Sequence, residues 1–166
     1  MNVLAKNLLV FFCLVFLFIP KNAAAQDEKF QAIFLYKFIE NVNWPDDRRN
    51  LVVGIIGQSS VQDELEKIIQ TRNGTIKVKQ IVSEEAAECD VVFLPKKGNS
   101  WLHAIVENTN RKSVLIVTET AGLTKQGACI SFVRDKNKLG FAVNKSTLDI
   151  RSLKVSSSLL NLSQEI

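Results

Sequence analysis

Apolar positions recur along this chain in two rhythms, and the alternation between them outlines the fold. Between Asp27 and Asn43 they fall at Phe34, Leu35, Phe38, Ile39 and Val42. That spacing places them on one face of a helix, with Lys37, Glu40 and Asn41 across from it. Trp44-Pro45 ends the segment, because the residue before a proline disfavours helical angles. Leu51 to Ile56 is a continuous apolar run between polar residues and Gly57, the pattern of a buried strand. A helix capped by Ser59 or Ser60 is expected next, carrying Leu65, Ile68 and Ile69. After the Asn73-Gly74 turn, residues 76–81 alternate strictly, as in a half-exposed strand at a sheet edge.

The rhythm then repeats. A brief acidic helical segment from Glu84 to Glu88 leads to a buried strand, Val91 to Leu94, and a turn at Pro95 to Gly98. A helix from Trp101 to about Asn108 and another buried strand, Ser113 to Thr118, follow. Cys129 to Val133 and Leu139 to Val143, joined by the polar loop Arg134 to Lys138, read as an antiparallel hairpin. Ser156 to Leu162 reads as a closing helix. Buried strands alternating with helices predict an α/β single domain. Its mainly parallel, twisted sheet carries helices on both faces and an appended C-terminal antiparallel hairpin.

The first 25 residues follow a different pattern. Lys6, the unbroken apolar run Leu8 to Ile19 and the triplet Ala23-Ala24-Ala25 have the order of a secretory signal peptide cleaved after Ala25. The run is too short for the roughly 20 residues of a membrane-spanning helix, and Cys13 lacks the small residues before it that lipidation needs. Residues 26–166 would then form the mature domain, in the periplasm. Cleavage removes Lys6 and Lys21 and no acid, leaving 19 basic and 17 acidic side chains in 141 residues. That near balance, with no basic stripe interleaved with aromatics, argues against nucleic-acid binding. Of the three cysteines, Cys89 and Cys129 lie in the mature part. An oxidising compartment permits a disulfide between them, and two buried thiols fit the sequence as well.

Candidate chemistry is sparse. Gly54-Ile-Ile-Gly57 lacks the third glycine of a dinucleotide fingerprint and the Lys-Ser/Thr pair of a P-loop, so Gly57 is expected simply to allow a tight strand-to-helix turn. His103, the sole histidine, has no ligands at metal-binding spacing and reads as a partly exposed helix residue. Ser156-Ser157-Ser158 lacks a base and a nucleophile-elbow pattern, and capping explains it better. Asp46-Asp47 and Glu84-Glu85 are neighbours in sequence whose side chains diverge in space, as in solvated loops. Neither a catalytic set nor a cofactor site is expected, and an enzyme is the weakest reading.

The aromatics Phe30, Phe34, Tyr36, Phe38 and Trp44 exceed what one buried stripe requires. Core packing accounts for most of them. Phe30 and Tyr36, however, cannot both share the Phe34-Phe38-Val42 face. The excess points to apolar surface for a second chain, either a partner protein or another copy of this one. Phe30, Tyr36, Lys37 and Trp44 are the candidate partner-contacting residues.

Lys29 to Pro45, "KFQAIFLYKFIENVNWP", resembles the opening of the YfiR-like family of periplasmic proteins (YfiR/HmsC type). So do "LVVGIIG", "CDVVFLP", "SVLIVTET", "GACISFVRDKNKLGFAVN" and the tail "LKVSSSLLNL", in the family's order. The resemblance covers nearly the whole mature chain. It implies a non-enzymatic α/β regulator that binds the periplasmic region of a membrane signalling protein, such as a diguanylate cyclase or a sensor kinase. Repression of that partner would govern cyclic di-GMP and biofilm formation. Cys89 and Cys129 resemble one position from each of two bridges in the best known relatives, so the resemblance does not carry redox control over to this chain.

A second function from another class is a receptor for a small anionic ligand. In an open parallel sheet, ligands bind beyond the strand C-termini where strand order reverses. Gly57, Ser59, Ser60, Lys96 and Lys97 lie on the loops expected to meet there, with positive potential from the lysines and the helix start.

Overall fold

A computed structural model describes residues 22–45, 48, 50–72, 74–136 and 138–164. The expected signal segment through Lys21, the Asp46-Asp47 pair and Asn73 lie outside the described residues. None of the described helices is long and apolar enough to cross a membrane.

Among the described residues there are eight strands and five α-helices. They are α1 (Asn22–Asn41), β1 (Val42–Asn43), β2 (Val52–Ile56), α2 (Ser60–Thr71), β3 (Lys77–Ile81), β4 (Val91–Leu94), α3 (Leu102–Asn108), β5 (Leu115–Thr118), β6 (Ile130–Asp135), β7 (Lys138–Val143), α4 (Lys145–Ile150), β8 (Lys154–Val155) and α5 (Ser157–Leu162). Three 3₁₀ segments, Ser83–Glu88, Lys96–Trp101 and Leu123–Gln126, complete the connections. Six strands form one sheet in the order β3-β2-β4-β5-β6-β7. All neighbours pair in parallel except β6 and β7, which form the antiparallel hairpin. The hairpin strands run further than the sequence suggested, to the pair Asp135 and Lys138, and Lys136 turns the chain at φ 52°.

The central strands are buried along their whole length because helices cover both faces. Val91 to Leu94 and Leu115 to Val117 are all fully buried. The chain passes from β2 to β3 in one direction and from β4 to β5 in the other, so right-handed crossovers place α2 and α3 on opposite faces. Ser59 caps α2 by accepting from the Val61 amide at 3.3 Å. β3 is the open edge, guarded by Lys77 and Lys79. At the other edge, the Gln164 amide donates to the Phe141 carbonyl at 2.8 Å and covers part of β7.

Helix α1 is anchored through aromatics. The Phe38 ring meets Phe141 at 4.8 Å and Phe132 at 5.8 Å between centroids, and Phe34 lies 5.6 Å from Phe141. Its end is tied down by a small antiparallel sheet in which Val42 faces Val155 and Asn43 faces Lys154. The sequence showed neither this pairing nor α4, a six-residue helix capped by Asn144, whose side chain accepts from the Thr147 amide. Both elements are too short for periodicity to register.

The expectation that Tyr36 stands off the buried stripe is corrected. Tyr36 is 8% exposed, as is Trp44. α1 packs against two partners, the β6-β7 aromatics on one side and α2 on the other, so its buried arc is wider than one stripe. Cys89 and Cys129 are both buried, free thiols. They precede β4 and β6, and β5 lies between those strands, a separation of about 10 Å that no disulfide spans.

Candidate functional site

Two surface regions combine exposed apolar side chains with polar or charged groups. The first lies where the strand order reverses, between β2 and β4. From β2 the chain goes to β3 on one side and returns to β4 on the other, so the loops after β2 and β4 diverge above the strand C-termini. A crevice of about 590 Å³ opens there. Gly57 makes the turn out of β2 at φ 67°, a left-handed conformation that glycine adopts without strain. Gly98 lets the second loop come close, since a Cβ there would stand 3.0 Å from Leu94 Cδ1 and 3.2 Å from Ile56 Cγ2.

Trp101 and Val82 line this crevice from different walls and are 51% and 58% exposed. Lys97 stands on the Trp101 side. Gln58 and Gln80 also line it, and among the described residues none of these three polar side chains has a hydrogen bond or ion pair. Glu84, beside Val82, accepts a hydrogen bond from the Ser83 hydroxyl at 3.0 Å.

The five residues expected to form an anion site are therefore divided. Gly57 and Lys97 meet at this crevice. Ser59 and Ser60 border an adjoining depression near the start of α2, with Asp63 among its walls. Lys96 turns to a separate depression, where its amide donates to the Glu119 carboxylate at 2.7 Å. Sequence reasoning missed Trp101, Val82, Gln58 and Gln80 as site residues. The available signal was weak: Gln58, Gln80 and Val82 lie within two residues of a strand's C-terminal end, and Trp101 ends the 3₁₀ segment that follows β4.

The second region is on α1. Phe30 and Ile33 are 44% and 38% exposed, and Lys37 is exposed and paired with Glu40 at 2.7 Å. Beside Phe30 lies a depression of about 600 Å³, with Phe34 and Leu139 in its floor and Arg134 and Lys138 at its rim. Arg134 also pairs with Asp27, which ties the hairpin to the first turns of α1. Of the four expected partner-contacting residues, Phe30 and Lys37 are at the surface, whereas Tyr36 and Trp44 belong to the core.

His103 is exposed on α3, with Nδ1 3.5 Å from Glu107. Among the described residues no three His, Cys, Asp or Glu side chains are placed to hold a metal ion.

Comparison with known proteins places this geometry in context. A conserved domain protein from Vibrio cholerae O1 biovar El Tor superposes with a TM-score of 0.63 at 9% identity, covering 83% of this chain and 59% of the other. The ABC domain from Streptococcus pneumoniae, solved in complex with L-Trp, superposes with a TM-score of 0.60 at 12% identity and the same coverages, 83% and 59%. The chain thus spans 59% of the length of each of these two structures, and at such identities the likeness is one of fold. No curated protein sequence matches significantly. The profile of one family, described as YfiR/HmsC-like (DUF4154), matches residues 28–164, from the second turn of α1 to the residue that covers β7, and the chain belongs to that family.

Proposed function

We propose that this protein is exported, loses residues 1–25, and acts in the periplasm as a non-enzymatic regulator. In this reading it binds the periplasmic region of a membrane signalling protein, a diguanylate cyclase or a sensor kinase, and represses or modulates it. Family membership across residues 28–164 is the observation that carries this reading. The α1 surface supports it. Phe30 and Ile33 are large apolar side chains turned outward next to basic groups, a combination suited to an interface core with a polar rim. The docking face is accordingly drawn around Phe30, Ile33 and Lys37, and Tyr36 and Trp44, which are core residues, are left out of it.

Deletion of the gene should raise cyclic di-GMP or an equivalent kinase output. Complementation with the wild-type chain should restore it, and a Phe30→Asp/Ile33→Asp chain that folds normally should not. Unchanged signalling in the deletion strain, or full complementation by the double variant, rejects the proposal. N-terminal sequencing of the exported form should begin at Gln26. Recovery of an intact Met1 in the membrane fraction counts against export with cleavage.

A further inference from the structure

The crevice between β2 and β4 is not used by the α1 docking surface. We propose that it is a binding site for a small, flat heteroaromatic acid, meaning a ring that carries a carboxylate or phosphate. Three independent features of the crevice converge on that class. Its position is the one where open parallel sheets take ligands, because diverging loops leave space and the strand ends present free backbone groups. Its volume, about 590 Å³, falls in the range of small-molecule sites. Its walls hold side chains whose exposure has no internal compensation.

Trp101, 51% exposed, offers an aromatic face on which a flat ring can stack, and Val82, 58% exposed, supplies a further apolar wall. Gln58 and Gln80 each carry a donor and an acceptor and have no partner among the described residues. Such amides match the mixed donor and acceptor edge of a heteroaromatic ring. Lys97 is unpaired on the Trp101 side, while Glu84 stands beside Val82. A ligand anion is therefore attracted to one end of the crevice and repelled from the other, which fixes the direction in which the ring enters.

The mature chain has two tryptophans, and only Trp101 is exposed, so ring binding reports directly in fluorescence. The test is titration of the mature protein with AMP and with nicotinate, alongside adenosine, which has a ring without the acid, and inorganic phosphate. Saturable quenching by AMP or nicotinate is expected, with adenosine and phosphate at least about tenfold weaker, since stacking and the charge-assisted contact act together. In ligand-observed NMR, Trp101→Ala and Lys97→Glu should each lower affinity about tenfold or more, and Gln58→Ala by a smaller factor. Lys125→Glu, a change at an exposed lysine outside the crevice, should leave it unaltered. All these positions are exposed, so melting temperatures should match the wild type, and Gln58→Ala remains informative if another variant melts early. The proposal is overturned if neither AMP nor nicotinate binds, if adenosine binds as well as AMP, or if the crevice variants bind as the wild type does.

Discussion

The guanidinium of Arg72 lies over the ring of Tyr36, 5.4 Å from its centroid. Arg72 caps the C-terminus of α2 and also approaches Glu40 of α1 at 4.0 Å. Tyr36 is therefore enclosed between the two helices and closed off by a cation, which explains how an aromatic residue off the main apolar stripe becomes part of the core.

A partner-contacting Tyr36, as the sequence suggested, would be truncated to alanine at little cost in folding, and the enclosure reverses that expectation. Loss of the ring should destabilise the protein by about 2–4 kcal/mol, approaching the about 3–5 kcal/mol expected for Phe38→Ala. Phe30→Ala, at a half-exposed position, should stay within about 0.5 kcal/mol of wild type. Denaturant unfolding of the three variants checks the order, and a Tyr36→Ala protein as stable as wild type contradicts the packing.

Burial pushes the Cys89 and Cys129 thiols up to about 11; for Cys89 the neighbouring acids Asp90, Glu85 and Glu88 act in the same direction, against Lys79. Both should be protonated and slow to alkylate in the native protein at neutral pH. Denaturation without reductant should expose two reactive thiols, and an intact mass lower by two hydrogens would establish a bridge instead. The fold binds these protons more tightly than the unfolded chain does. Their contribution is therefore complete below the ordinary thiol value near 9.0 and is lost as pH rises from there toward about 11. Unfolding free energies from urea titrations across that interval should fall, by an amount on the order of a few kcal/mol for the pair.

Gly54 permits a close approach within the sheet region. A Cβ there would stand 2.4 Å from Ile81 Cδ1 and 2.8 Å from Cys89 Sγ. Gly54→Ala should destabilise the protein by about 1–3 kcal/mol through overpacking, measured by thermal or chemical melting. Pairing it with Ile81→Val should recover part of the loss.

Arg151 is 6% exposed, and among the described residues it pairs with no carboxylate. Its guanidinium donates to Thr109 Oγ1 at 3.0 Å and to the Thr109 carbonyl at 3.2 Å, and burial lowers its pKa from the usual guanidinium value. Arg151→Met keeps the volume but leaves these acceptors unpaired, and should cost about 2–4 kcal/mol in an unfolding titration. An unchanged midpoint would show that the acceptors find other donors.

The alternation of apolar runs and helical periods by itself determined the α/β class, the buried central strands, the half-exposed edge strand and the hairpin. Each of these is a local pattern whose period reports directly on how many faces are covered. A serine cap at 59 or 60 and Gly57 as a turn residue were legible for the same reason, because capping and left-handed φ are properties of a few consecutive residues. The tertiary structure alone decided which exposed and buried positions come together. Tyr36 is core because a second helix packs beside α1, and no spacing along α1 contains that information. Lys96 and Lys97 are adjacent in sequence, yet the 3₁₀ turn they begin sends them to different depressions. Gln58, the Gln80-Val82 segment and Trp101 come together only through the placing of β3 and β4 on either side of β2, a relationship among segments separated by about 20 to 43 residues that no local pattern encodes.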